Sequence, residues 1–238
     1  MATLPREHSS HIKGMAFSFH LFWDITSPAR EVAVTLEVLE PPSVERLYFW
    51  ALQASFLDAS GSVGAGHLGL QWNPRYPDHK AVNWGGYDTQ GTVLPGSDSS
   101  LPSTPLDPNT RDFPWLPGRK YRLRIYPSPE LGWIGEVTDT DTGVVTIVRN
   151  LHAGGDHLGR VMVWTELFCE CSDPPAVVGW SEPTAVGLGG EYLAPRALRV
   201  NYQADGCSNT NVFTDGDRVY QATASDRITA QGSLVALS

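Results

Sequence analysis

The sequence predicts an all-β protein, an antiparallel two-sheet β-sandwich of jelly-roll type with two long ordered loops. Three observations lead there. Short segments with period-2 alternation recur along the chain, separated by turn residues. No segment sustains the 3.6-residue apolar period of an amphipathic helix. The composition, with 23 Gly and 18 Pro in 238 residues and 18% charged residues, is that of a strand- and loop-rich chain. The length suits one domain over 1–238 with a sizeable core, residues 1–15 forming a flexible N-terminal segment.

Taken in order, Ala16 to Asp24 alternates with Phe17, Phe19, Leu21 and Trp23 on one side, and Glu31 to Glu40 turns Val32, Val34, Leu36 and Val38 inward. Tyr48 to Phe56 sets Tyr48, Trp50, Leu52, Ala54 and Phe56 against Gln53 and Ser55. His67 to Trp72 sets Leu68, Leu70 and Trp72 against His67 and Gln71. Ala81 to Trp84 and Lys120 to Tyr126 follow, the latter with Tyr121, Leu123 and Ile125 opposed to Arg122, Arg124 and Tyr126. Trp133 to Thr138 and Gly143 to Arg149 flank an Asp/Thr/Gly-rich turn and read as a hairpin. Val161 to Cys171, Ala197 to Gln203, a hairpin over Val212 to Thr223 and a closing strand at Leu234 to Leu237 complete the set. Gly85–Gly118 and Ser172–Pro195, rich in Pro, Ser, Thr and Gly, are expected to be ordered flaps that carry buried aromatics.

A formal charge of -9 and the absence of any basic run argue against nucleic acid or an anionic membrane as partner. Met1 to Met15 holds neither a signal-like apolar run nor a spanning segment, so the chain as it stands is expected in the cytosol, or secreted if a leader has been removed. Cys169 and Cys171 share a strand face and cannot easily bond each other. Either could pair with Cys207, leaving one thiol over, or all three could stay reduced; a three-cysteine zinc site is the weaker alternative, since nothing nearby has the usual ligand spacing.

The runs Tyr48-Phe-Trp-Ala-x-Gln53, Gly66-His-Leu-Gly-Leu-Gln71, Trp164-Thr-Glu166, Cys171-Ser-Asp-Pro-Pro175, Trp180-Ser181 and Gly206-Cys-Ser-Asn-Thr-Asn-Val212 resemble a widespread bacterial family of unknown function. The resemblance covers roughly residues 16–215. It implies a concanavalin-like jelly roll, mostly secreted members and a Cys171–Cys207 disulfide. It carries no catalytic signature.

Several motifs are set aside on context. Gly64-x-Gly66-x-x-Gly69 opens a strand and lacks the helix that holds a dinucleotide's pyrophosphate. Asp139-x-Asp141-x-Gly143 has its glycine one position early for a calcium loop and reads as a hairpin turn. His152 and His157 lack further ligands for a metal. No nucleophile elbow, P-loop or zincin motif occurs, and no cofactor is expected.

Carboxylates inside strands point to chemistry, because a lone buried carboxylate is costly. Glu136 and Glu166 both sit mid-strand. A structural reading pairs Glu136 with Arg124 across strands. A functional reading gathers Gln53, His67, Gln71, Arg124, Glu136 and Glu166 on a groove floor walled by Trp84, Trp133 and Trp164. The expectation is a cofactor-independent enzyme that binds a bulky organic molecule in the groove and uses Glu136, Glu166 and His67 as acid/base groups in a cyclisation, isomerisation or elimination. The alternatives are a lectin-like carbohydrate-binding module and a glycan-active hydrolase or lyase. Against glycan hydrolysis stands the lack of an E-x-D-x-E strand signature.

Overall fold

The computed structural model describes residues 16–102 and 107–237, and the expected N-terminal segment 1–15 lies outside them. The strands are β1 (Ala16–Trp23), β2 (Ala29–Glu40), β3 (Tyr48–Asp58), β4 (Gly61–Trp72), β5 (Lys80–Asp88), β6 (Thr110–Asp112), β7 (Lys120–Pro127), β8 (Trp133–Asp139), β9 (Val145–Leu151), β10 (His157–Phe168), β11 (Val177–Gly187), β12 (Tyr192–Leu193), β13 (Ala197–Tyr202), β14 (Thr210–Asp215), β15 (Arg218–Thr223) and β16 (Leu234–Ala236). They pair antiparallel into two sheets. The first runs β14-β15-β11-β2-β7-β8-β9, with β12 beside β11. The second runs β16-β13-β1-β10-β3-β4-β5-β6. Backbone pairing joins the sheets at one corner, where Leu158 of β10 meets Ala29 of β2.

Each inward row supplies the core between the sheets. Phe17, Phe19 and Leu21 from β1 and Trp50, Leu52 and Phe56 from β3 face Val34 and Leu36 of β2, Leu123 and Ile125 of β7 and Trp180 of β11, all buried. Apolar burial is the main driving force, at roughly 25 cal/mol per Å².

A polar side chain crosses this core. Gln221 of β15 is 1% exposed. Its Oε1 accepts from Trp180 Nε1 in its own sheet and from the Thr165 hydroxyl of β10 in the other, both at 2.9 Å. Its Nε2 donates to the Phe19 carbonyl of β1 at 2.8 Å.

The two expected flaps fare differently. Residues 89–102 form a loop that clasps the open side of the sandwich, Leu94 donating to the Gly86 carbonyl of β5 and Ser97 to the Asn150 carbonyl of β9. Trp115, just beyond β6, is fully buried, packs edge-on to Trp50 and donates to the Gln71 carbonyl. The Ser172–Pro195 segment is not a flap. It contains β11, which lies between β15 and β2 with register shifts at Ser181/Thr184 and at both ends. Glu182 at φ 52 and Pro183 sit in the central irregularity, which breaks the alternation that would have revealed the strand. The Asp139 turn is a hairpin turn, its carboxylate accepting from the Asp141 and Thr142 amides.

Cys171 and Cys207 form a disulfide that closes a sequence separation of 36. Cys169 stays free and buried, and burial pushes its thiol up to about 11. The disulfide is compatible with an extracellular protein. Among the described residues no helix is long and apolar enough to cross a membrane.

Two outcomes are expected. Gln221→Leu leaves a hydroxyl, an indole N–H and a carbonyl unpaired in the core and should cost about 3 kcal/mol or more in urea unfolding. An unchanged midpoint would remove the cross-core role. Cys171→Ser should cost about 3–4 kcal/mol by the loop-entropy account, read as the same loss on adding reductant to the wild type.

Candidate functional site

Parity decides which polar residues share a surface. On the second sheet, strands β1, β10, β3 and β4 turn Ser18, His20, Trp164, Glu166, Phe49, Gln53, His67 and Gln71 away from the core. The register sets Glu166 opposite Phe49, Phe49 opposite Gln71, and Gln53 opposite His67. This face therefore brings together Gln53, His67, Gln71, Trp164 and Glu166 of the expected groove.

The other four are elsewhere. Arg124 and Glu136 lie on β7 and β8, which belong to the first sheet because β7 pairs with β2. They occupy that sheet's outer face, across the core from Gln53. There Arg124 holds Glu31 through two bonds of 2.7 and 2.8 Å and stands 3.6 Å from Glu136. Tyr126 donates its hydroxyl to Glu136 at 3.0 Å. Trp84 and Trp133 point into the core rather than walling a groove. Trp84 donates to the Trp133 carbonyl, and Trp133 stacks on Phe56 with centroids 5.4 Å apart.

On the second sheet's outer face, Phe49, Ala51 and Trp164 form a small apolar cluster separate from the core. Trp164 meets Phe49 edge-on at 4.9 Å and donates its indole N–H to Gln53 Oε1 at 3.0 Å. The His67 ring packs against both aromatic rings and lies 6.1 Å from half-exposed Tyr87. Burial pushes the His67 imidazole down to about 4, opposed in part by Asp107. Gln71 is buried and accepts from Asn73 at 2.9 Å. Glu166 is partly buried, and its carboxylate makes no hydrogen bond or ion pair among the described residues. Burial raises its carboxyl above the ordinary value, with no charged group contributing.

Residues of β1 and β13 complete the face. They sit at the outward positions of an alternating strand, so the parity rule that picked Gln53 also finds Ser18 and His20. Gln231 accepts from the Tyr202 amide through Oε1 and donates from Nε2 to Asn201 Oδ1. The Asn201 side-chain nitrogen stands 3.3 Å from His20 Nδ1. His20 Nε2 lies 3.2 Å from the Ser18 hydroxyl, which also donates to Gln203 Oε1.

Two cavities open at opposite ends of the face. One of about 880 Å³ includes Gln53, Ser55, Met162 and Arg160, and one of about 370 Å³ includes Gln71, Asn73, Asp107 and Phe168. Gln53 of the first is paired with His67, four residues from Gln71 of the second, so their near edges are about 13 Å apart at 3.3 Å per residue.

Neither a protein-family model nor a curated protein sequence matches the chain. Solved structures do resemble it. A scytalido-glutamic peptidase crystallised with a peptide-based transition state analog gives a TM-score of 0.50 at 11% identity, over 87% of this chain and 96% of that one. SCP-B, a member of the eqolisin family of peptidases in complex with the tripeptide Ala-Ile-His, gives 0.48 at 11% identity over the same shares. Scytalido-glutamic peptidase with a transition state analog inhibitor gives 0.48 at 9% identity. The first of these likenesses shows a shared β-sandwich fold.

The depressed His67 has a consequence for stability. Its folded value of about 4 lies below the ordinary 6.5, so the unfolded chain binds more protons between those pH values. Stability should fall as pH drops from 6.5 to 4, by up to roughly 3 kcal/mol from this group. His67→Gln should flatten that slope in urea midpoints at pH 7 and 4.5, and identical slopes would contradict it.

Proposed function

We propose that this protein is a cofactor-independent acid/base enzyme that takes an extended, peptide-like chain across the outer face of the second sheet, with Glu166 as its proton-transfer group. The observation that carries the reading is the isolation of Glu166. Glu31, Glu37 and Glu136 are each tied to an arginine, and Glu182 accepts from Thr35. Glu166 has no such partner, and burial raises its carboxyl above the ordinary value on an accessible face, which favours proton exchange there.

The chemistry follows from that poise. Ionised Glu166 takes a proton from a water whose oxygen bonds to the substrate carbonyl carbon. As the carbon–nitrogen bond breaks, the same proton passes to the leaving nitrogen, and the carboxylate is regenerated. His67, held neutral above pH 4 by burial, and Gln53, fixed by Trp164, serve to position the chain. Glu136 is assigned a structural role on the opposite face.

Two open cavities at opposite ends of the face suit an elongated substrate better than a compact molecule enclosed on all sides, which turns the reading from cyclisation towards bond cleavage. The structural neighbours are peptidases with peptide-derived ligands, and that supports the same choice. A sugar-stacking platform has less support, because Phe49 and Trp164 are 4% and 7% exposed and bury against each other.

The test is digestion of a mixed peptide pool at pH 4–6 followed by mass spectrometry. The wild type should cleave, Glu166→Gln should lose at least 100-fold in kcat/KM, and Glu136→Gln should stay within about threefold once folded protein is matched. No cleavage by wild type, or full activity in Glu166→Gln, would overturn the reading.

A further inference from the structure

The larger cavity lies at the far end of the same face from Glu166, at the corner where the two sheets join. Its lining contains no Asp or Glu. That is notable in a chain with 26 acidic and 17 basic residues. The charged group that lines it without a protein partner is Arg160. Arg46, Arg119, Arg124 and Arg218 each hold a carboxylate, whereas Arg160 makes no ion pair or side-chain hydrogen bond among the described residues. His157 also lines the cavity and is paired with Asp156, which does not line it.

Arg160 is placed there by an irregularity. The β10–β3 register shifts between Gly159 and Met162, and Arg160 adopts φ 48, a backbone conformation that side-chain-bearing residues rarely take. The bulge lets Leu158 and Val161 both remain buried while the arginine between them stays exposed at the cavity.

The neutral polar groups around it can donate. Gln53 Oε1 is occupied by the Trp164 indole, which leaves the Gln53 amide hydrogens free. Ser55 is 8% exposed, and its hydroxyl makes no side-chain hydrogen bond among the described residues. Phe22, Ile25 and Leu57 supply apolar wall. An arginine and several unspent donors beside apolar surface, with no carboxylate in the lining, match a carboxylate ligand.

We propose that this cavity binds a carboxylate of the substrate, with Arg160 as its counter-ion and Gln53 and Ser55 as supporting donors. This rests on the peptide-like reading of the face and sharpens it to acidic chains. Arg160 and Glu166 are six residues apart along β10, or about 20 Å. The recognised group therefore sits about six residues of extended chain from the reacting bond. An acidic side chain and a free C-terminus carry the same group.

The test measures binding rather than turnover, using Glu166→Gln protein and four octapeptides of one sequence. They bear a Glu or a Gln near the end, each with a free or an amidated C-terminus. Peptides with the recognised carboxylate should bind at least tenfold tighter than their neutral counterparts, and rising salt should erase the difference. Whichever pair discriminates identifies the source. Arg160→Gln should abolish the discrimination. Arg160→Gly, which tolerates the positive φ, should do the same in a folded chain, and Arg160→Lys should keep most of it. Equal binding of all four peptides, no binding of any, or discrimination that survives loss of Arg160 would overturn the proposal. Turnover is read separately, so failure of the Glu166 chemistry would leave this result standing.

Discussion

The side chain on which the rest of the structure depends is Gln221. Two stacked sheets held by apolar contact alone could slide, because hydrophobic attraction has no direction. A buried amide that bonds to Trp180 in one sheet and to Thr165 and the Phe19 carbonyl in the other removes that freedom. Slippage would leave several polar groups unpaired in a low-dielectric interior. With the sheets so fixed, inward positions are committed to packing. Any reactive group must then lie on an outer face.

The two outer faces have different character. On the first sheet the charges are spent on one another: Arg124 on Glu31, Arg218 on Glu37, and Arg122 on the Glu182 carbonyl and the Thr184 hydroxyl. Such a surface is stabilised by what it already holds. On the second sheet, neutral polar groups, aromatic rings and an unpaired carboxyl share a face with a cavity at either end. Burial there shifts His67 and Glu166 in opposite senses, each towards its neutral form.

Much of this was legible before any coordinates. Alternation placed β1, β3, β4, β7 and β8 and most of the core, and it put Gln53, His67 and Glu166 on outward positions. What it could not supply was partnership. A period of two tells which residues share a face of one strand, not which sheet the strand joins, so Glu136 and Glu166 looked equivalent although they lie on opposite sides of the molecule. Nor could alternation separate an outer groove from the core when the residue was aromatic, and Trp84 and Trp133 were misplaced for that reason. The pattern of β11 is hidden in the sequence because Gly179, Pro183 and a bulge interrupt it, and a central strand paired on both sides can tolerate such breaks where a solvent-facing edge would show them as a loop. Arg160 was invisible for a related cause: its position follows from a register shift, which pattern reading assumes away.

The free cysteine bears on how the disulfide comes to be made and kept. Cys169 lies two residues from Cys171, close enough in sequence to compete for Cys207 while the chain is oxidising. Once β10 has closed, burial holds its thiol near 11, so about one molecule in a thousand carries the attacking thiolate at pH 8. Reshuffling by the nearest thiol in sequence is thus quenched by the packing that correct pairing completes. The fold acts as a ratchet on its own covalent chemistry.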